Sequence, residues 1–233
     1  METQKMHIGT IPAIVYGPHS EKAFIFVHGR YSRKEDAAGF AEKAVARGFQ
    51  VLAFDLPEHG DRSGDPETCS VQNGVHDLGA VLGFAKDHWK KLALAAFSLG
   101  AYFSLAAYRE EHFEKCLFMS PVLDMERLIR NMMLWSNVSE SELETKKEIP
   151  TTFGEKLIWD YFQYVKAHPV DQWRSPTAIL YGSRDNLTDR DVLDSFAERF
   201  GAESTIIEGG EHYFQKPEEI AALDKWIEDN IPE

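Results

Sequence analysis

Ser98 stands in Ala96-Phe97-Ser98-Leu99-Gly100, between an apolar run of strand length and a run of mostly good helix formers. A serine placed where a strand turns directly into a helix is held on a tight bend. Small residues two positions before and after it, here Ala96 and Gly100, let the strand and helix backbones nearly touch. The pattern is that of a nucleophile elbow, G-x-S-x-G with alanine in the first small position. Alone it fits a serine that merely caps a helix after a buried strand equally well. Two residues further along give it chemical meaning: Asp185 follows the apolar run Thr177–Tyr181, and His212 follows the run Ser204–Glu208. A serine hydroxyl is a poor nucleophile at neutral pH, and an imidazole within hydrogen-bond reach can take its proton as it attacks. A carboxylate behind the imidazole fixes its tautomer and stabilises the imidazolium. Gly209 and Gly210 allow a sharp turn that would aim His212 inward. Singly, His212 reads as a loop histidine and Asp185 as a turn residue. Together, and in this order, they favour nucleophilic catalysis.

These three residues need a frame that brings strand ends together. Ala13–Gly17 reads as an early strand, and Ala23–Val27 as a strand buried on both faces, as in a parallel sheet. An amphipathic helix from about Lys34 to Arg47 follows, stopped by Gly48. Gln50–Phe54 is the next strand, a helix from about Val71 to Trp89 leads to the elbow strand, and Lys115–Met119 is another buried strand. The strands Thr177–Tyr181 and Ser204–Glu208 come later, and a closing helix from about Pro217 to Glu228 turns Ile220, Leu223, Trp226 and Ile227 inward. Strands alternating with helices predict an α/β fold, with a doubly wound, mostly parallel sheet covered on both faces. One α/β domain over 1–233 is expected, broken only by a mainly helical insertion over about 122–173, rich in Met and aromatic residues.

Composition narrows the partners. The chain has 233 residues, of which 43% are hydrophobic, enough for a full core, and a net charge of -13 that repels nucleic acid and anionic lipid. No stretch approaches the ~18 apolar residues of a membrane span. Met1–His7 lacks the apolar core of a signal peptide, and two cysteines, Cys69 and Cys116, make no disulfide framework. The expected compartment is the cytoplasm. His59, His76, Asp61 and Glu58 are of metal-ligating types, but their spacing matches no metal motif, and the glycines form no phosphate-binding pattern. No metal and no cofactor are expected.

The elbow at Ser98, then Asp185, then His212, each after a strand, resembles the α/β-hydrolase superfamily, whose triad runs in that chain order. The resemblance spans Phe24 to Trp226, and it implies a serine hydrolase of carboxylesterase or lipase type with a cap inserted after the sixth strand. It casts Ser98 as nucleophile, His212 as base and Asp185 as acid. Asp124 also follows a strand, and some members of the superfamily draw the acid from there. Tyr-Gly-x-x-Asp at 181–185 resembles the commoner pattern, and Asp124 reads better as a helix cap. The oxyanion is expected to meet the Leu99 N–H at the start of the elbow helix and, by resemblance to His-Gly-x loops, the Arg30 N–H. His28 reads as a structural residue of that loop. Tyr31, Met133 and Trp135 are the candidate substrate wall, and Arg30 is placed to meet an anionic substrate group. The expected partner is a small-molecule acyl substrate, with no nucleic acid and no membrane, and a homodimer is compatible. The reaction class is acyl transfer to water: first an ester, with thioester, amide or peptide as alternatives on the same residues, and a non-catalytic binding protein of the same fold as the third reading.

Overall fold

In the computed structural model, which describes all 233 residues, the elements run β1 (Thr3–Ile8), β2 (Ile11–Tyr16), β3 (Lys22–Val27), α1 (Ala38–Ala46), β4 (Gln50–Phe54), α2 (Val71–His88), β5 (Lys91–Phe97), α3 (Leu99–Ala107) and β6 (Cys116–Met119). They continue with α4 (Met125–Trp135), α5 (Glu140–Lys146), β7 (Glu148–Pro150), β8 (Lys156–Ile158), α6 (Trp159–Ala167), β9 (Thr177–Gly182), α7 (Arg190–Phe200), β10 (Glu203–Ile207) and α8 (Pro217–Asn230). Eight strands form one sheet in the order β1-β2-β4-β3-β5-β6-β9-β10, antiparallel at β1-β2-β4 and parallel from β4 to β10.

Strand residues alternate between two cores, which is why the parallel strands read as continuous apolar runs. Phe24, Phe26, Ala93, Ala95, Leu117 and Leu180 pack on one face with Phe40 of α1 and Trp226 of α8. Ile25, Val27, Leu94, Ala96, Phe118 and Tyr181 pack on the other with residues of α2, α3 and α7. Register brings the strand ends level: Val27 pairs with Ala96, Phe97 with Met119, and Met119 with Leu180. The carboxyl ends of β3, β5, β6 and β9 therefore make one edge, where an open α/β sheet carries its ligand. No helix is long and apolar enough to cross a membrane.

Several elements differ from the sequence reading. The helix expected from Lys34 begins as a 3-10 turn over Lys34–Ala37. There the buried Lys34 ammonium bonds Asp55 at 2.6 Å and Asp61 at 2.7 Å. β1, a mostly exposed edge strand, has no apolar run to mark it in the sequence. α7 is a further helix absent from the sequence reading: Leu193 and Phe196 bury one face of it and Gly201 closes it in the left-handed region at φ 67°. The segment between β6 and β9 holds three helices, as its composition suggests, and also the antiparallel pair β7–β8. Ile220 does not turn inward and is 43% exposed. Glu219 is buried there instead, accepting from the Gln215 and Lys216 N–H groups at 3.1 and 3.2 Å and so capping the helix start.

Candidate active site

β5 delivers Ser98 and α3 leaves from it at once, so the serine backbone must bend through φ 51°, ψ -117°. Such a conformation costs roughly 1–3 kcal/mol in a non-glycine residue and persists where neighbours over-determine it. Ser98 N–H donates to Met119 O, and Ser98 O accepts from Val122 N–H, each at 3.1 Å. Gly100 is where the bend meets the sheet: a Cβ there would lie 2.4 Å from both the His28 and Val27 carbonyl oxygens. Gly29 is similarly close, 3.1 Å from the Ser98 Cβ by the same construction. Alanine at 96 is accommodated without exposure, facing Val27 and Phe118.

His212 reaches the serine from the loop after β10. Its Nε2 lies 2.8 Å from Ser98 Oγ, and its Nδ1 lies 2.7 Å from Asp185 Oδ2. The other Asp185 oxygen accepts the Leu187 and Thr188 N–H groups at 2.8 and 3.1 Å, so the carboxylate is fixed by its own turn. Ser98 and His212 are each 2% exposed. The histidine loop crosses the end of β9 over Gly182, where a Cβ would sit 2.5 Å from the Gly210 carbonyl oxygen. Gly209 takes φ 74° in the same loop. Asp124 is elsewhere: its carboxylate caps α4 by accepting the Arg127 N–H at 2.9 Å. A serine hydroxyl, an imidazole and a carboxylate joined in this sequence can generate an alkoxide-like nucleophile and return the proton to a leaving group.

Leu99 N–H and Arg30 N–H have no acceptor within the chain. Leu99 opens α3, where the helix dipole adds positive character. The Arg30 loop is held by two segments, the loop at Glu58 and His59 and the cap residue Glu155. Tyr31, at φ 63°, donates its N–H to His59 Nε2 at 3.0 Å. Arg30 Nε donates to Glu155 at 3.2 Å, and its guanidinium lies 3.6 Å from Glu58. The Tyr31 hydroxyl donates to the same Glu155 oxygen at 2.5 Å. Two carboxylates thus surround one guanidinium, so Arg30 offers no spare positive charge to an anionic substrate. Glu155 sits 125 residues from Arg30, and no local pattern announces that pairing.

His28 ties the same loop from beneath. Its Nδ1 meets Gly29 O at 2.8 Å and its Nε2 accepts the Leu56 N–H at 3.0 Å, a pattern that only the neutral ring satisfies. Burial pushes its pKa from the ordinary 6.5 down to about 4. The unfolded chain then binds the extra proton between those values, so this residue's share of stability is complete above pH 6.5 and lost as pH falls towards 4. It should amount to about 2 kcal/mol between pH 7 and pH 5. Denaturant titrations should show that His28→Gln, whatever its stability at pH 7, loses less between the two pH values than the unsubstituted protein does.

Above Ser98 lies a cavity of about 690 Å³. Ser98, Leu99, Arg30, Tyr31 and Trp135 all line it. On α4, Met125, Leu128, Ile129 and Met132 face it at helical spacing. Met133 does not: it is buried at 5% exposure in the main core, one position further round the helix. Met132, not the Met133 expected from the sequence, faces the cavity, and the 125-128-129-132 spacing marks it. Tyr213, next to His212, and Phe153, whose ring stands 6.0 Å from that of Trp135, complete the apolar rim.

A model of the alpha/beta hydrolase family matches residues 24–223. Among solved structures, Est1E from Butyrivibrio proteoclasticus with bound ferulic acid is 18% identical, with a TM-score of 0.78 over 97% of this chain and 96% of that one. A putative hydrolase from Agrobacterium vitis is 18% identical, with a TM-score of 0.77 over 99% of both chains. Alpha/beta hydrolase domain-containing protein 10 from mouse is 18% identical, with a TM-score of 0.74 over 98% of both chains. At these identities the likeness is one of fold. No curated protein matches the chain in sequence.

Proposed function

The chain belongs to the alpha/beta hydrolase family, and from that premise we propose that it is a serine hydrolase acting on small-to-medium carboxylic esters. The observation that carries this reading is the unbroken chain of contacts from Ser98 Oγ through His212 to Asp185, at 2.8 and 2.7 Å. Ser98 Oγ attacks the ester carbonyl carbon while its proton passes to His212 Nε2. The carbonyl oxygen becomes an oxyanion and is received by the Leu99 and Arg30 N–H groups, each such donor lowering the barrier by roughly 3 kcal/mol. Asp185 stabilises the imidazolium. Collapse breaks the bond to the alcohol oxygen, which takes the proton from His212 and leaves an acyl-serine. Water, deprotonated by His212, then attacks the acyl carbon, and the acid departs as Ser98 regains its proton.

The segment 122–173 serves as a cap over the site, and its α4 face forms the acyl wall together with Tyr31 and Trp135. Both cations of that wall are already engaged: Arg30 with Glu58 and Glu155, and Lys156 with Glu148 at 3.6 Å. Three carboxylates thus face two cations and no cation is free to hold a substrate carboxylate, which favours a neutral ester over an anionic one. Est1E, of the same fold, holds a carboxylic acid, ferulic acid. Cys69 and Cys116 are free thiols, in keeping with a cytoplasmic protein. A panel of p-nitrophenyl esters beside aminoacyl nitroanilides tests the assignment. Esters should turn over and anilides should be at least tenfold poorer in kcat/KM, and neutral esters should exceed esters bearing a carboxylate. Preferential cleavage of the anilides would make this a peptidase or amidase instead.

A further inference from the structure

A second cavity, of about 370 Å³, lies on the other side of Met125. Met125 opens α4 and lines both this cavity and the one above Ser98. Tyr102, one turn beyond Ser98 on α3, reaches the second cavity too, and Leu123, Val165, Val192 and Phe196 give it apolar walls. The charged residues along it are engaged with their neighbours. Arg127 bonds Asp189 at 2.8 Å and lies 3.9 Å from Asp191. Glu126 pairs with Arg130 at 2.8 Å, Arg199 donates to Asp171 O at 2.9 Å, and Asp124 caps α4. The side chains not already engaged in such contacts are mostly apolar, which suits an uncharged apolar group. The partition between the two cavities includes an unbranched, flexible thioether side chain, which can change rotamer at small cost.

We propose that the second cavity receives the distal end of a hydrocarbon chain whose ester group lies at Ser98, with Met125 as the movable partition. The inference rests on the esterase reading above and extends its substrate class to long-chain esters. The chain can belong to the acid or to the alcohol, and two substrate series separate these sources: p-nitrophenyl alkanoates from butyrate to dodecanoate, and alkyl acetates of matching lengths. Ser195 lines only the second cavity and is exposed on α7. Ser195→Trp should fill that cavity without touching the catalytic residues. It is expected to lower kcat/KM for the twelve-carbon member of one series by roughly tenfold relative to the four-carbon member. Turnover of the four-carbon member should be unchanged. Met125→Ala should shift preference the opposite way, and adding Ser195→Trp to it should cancel the shift. Because Met125 is buried, the Ser195 arm stands alone if Met125→Ala fails to fold. An unchanged ratio of long to short esters in Ser195→Trp, in both series, overturns the inference while leaving the esterase reading intact. If the unsubstituted protein turns over no ester at all, the esterase reading fails and this inference fails with it.

Discussion

Ser98→Ala is expected to lower kcat for a p-nitrophenyl ester by about 10⁴-fold or more while the protein stays folded. The side chain removed is one oxygen in a buried position, and its loss leaves the His212–Asp185 contact at 2.7 Å in place. On the proposed mechanism the nucleophile disappears, so no acyl-serine can form. Residual rate would come from the Leu99 and Arg30 N–H groups polarising a bound carbonyl for attack by water. A melting curve beside the kinetic assay separates the two effects. The expected result is a melting temperature near that of the unsubstituted protein together with a collapse in turnover. Turnover within tenfold of normal would remove Ser98 from the mechanism.

The second large effect belongs to Gly100. An added methyl there meets two backbone carbonyl oxygens at 2.4 Å, and backbone in the middle of a sheet cannot swing aside as a side chain can. Gly100→Ala is therefore expected to lower stability by about 3 kcal/mol or more, at the upper end of overpacking costs. Relief would require α3 to lift from the end of β3. That movement separates Ser98 from the Arg30 loop, so activity should fall along with stability. Gly83 provides the contrast: it lies inside α2, exposed, with no atom within 4 Å of an added Cβ. Gly83→Ala should raise stability by up to about 1 kcal/mol through helix propensity alone. Chemical denaturation of both variants checks the pair, and equal effects would mean that close approach at the elbow is not what requires glycine.

The two substitutions also show which parts of the molecule could be read from one sequence. Apolar runs such as Ala23–Val27 and Thr177–Tyr181 signal buried parallel strands because both faces of the strand are covered. The small-Ser-small bend, with Asp185 and His212 after later strands, is likewise a local signal repeated at three places. Features that depend on partners far along the chain were not legible. Nothing near Glu155 indicates that it closes on Arg30 and Tyr31, and nothing near Gly182 says that a loop almost thirty residues later passes over it. At the edges, periodicity alone misled: Ile220 has the spacing of an inward residue, but the capping needs of α8 put Glu219 inside. On α4 a one-residue choice, Met133 for Met132, is a rotation of about 100° and turns a core side chain into a supposed wall.

The central claim is that Ser98, activated by His212, attacks an acyl carbon. Its most direct measurement is covalent labelling with a fluorophosphonate, which reacts with an activated serine and stops there. Intact-mass analysis should show one adduct per chain, peptide mapping should place it on Ser98, and ester turnover should fall in proportion to labelling. Ser98→Ala should take up none. Labelling that persists in Ser98→Ala, or an unsubstituted protein that stays unlabelled while it turns over esters, would contradict the account.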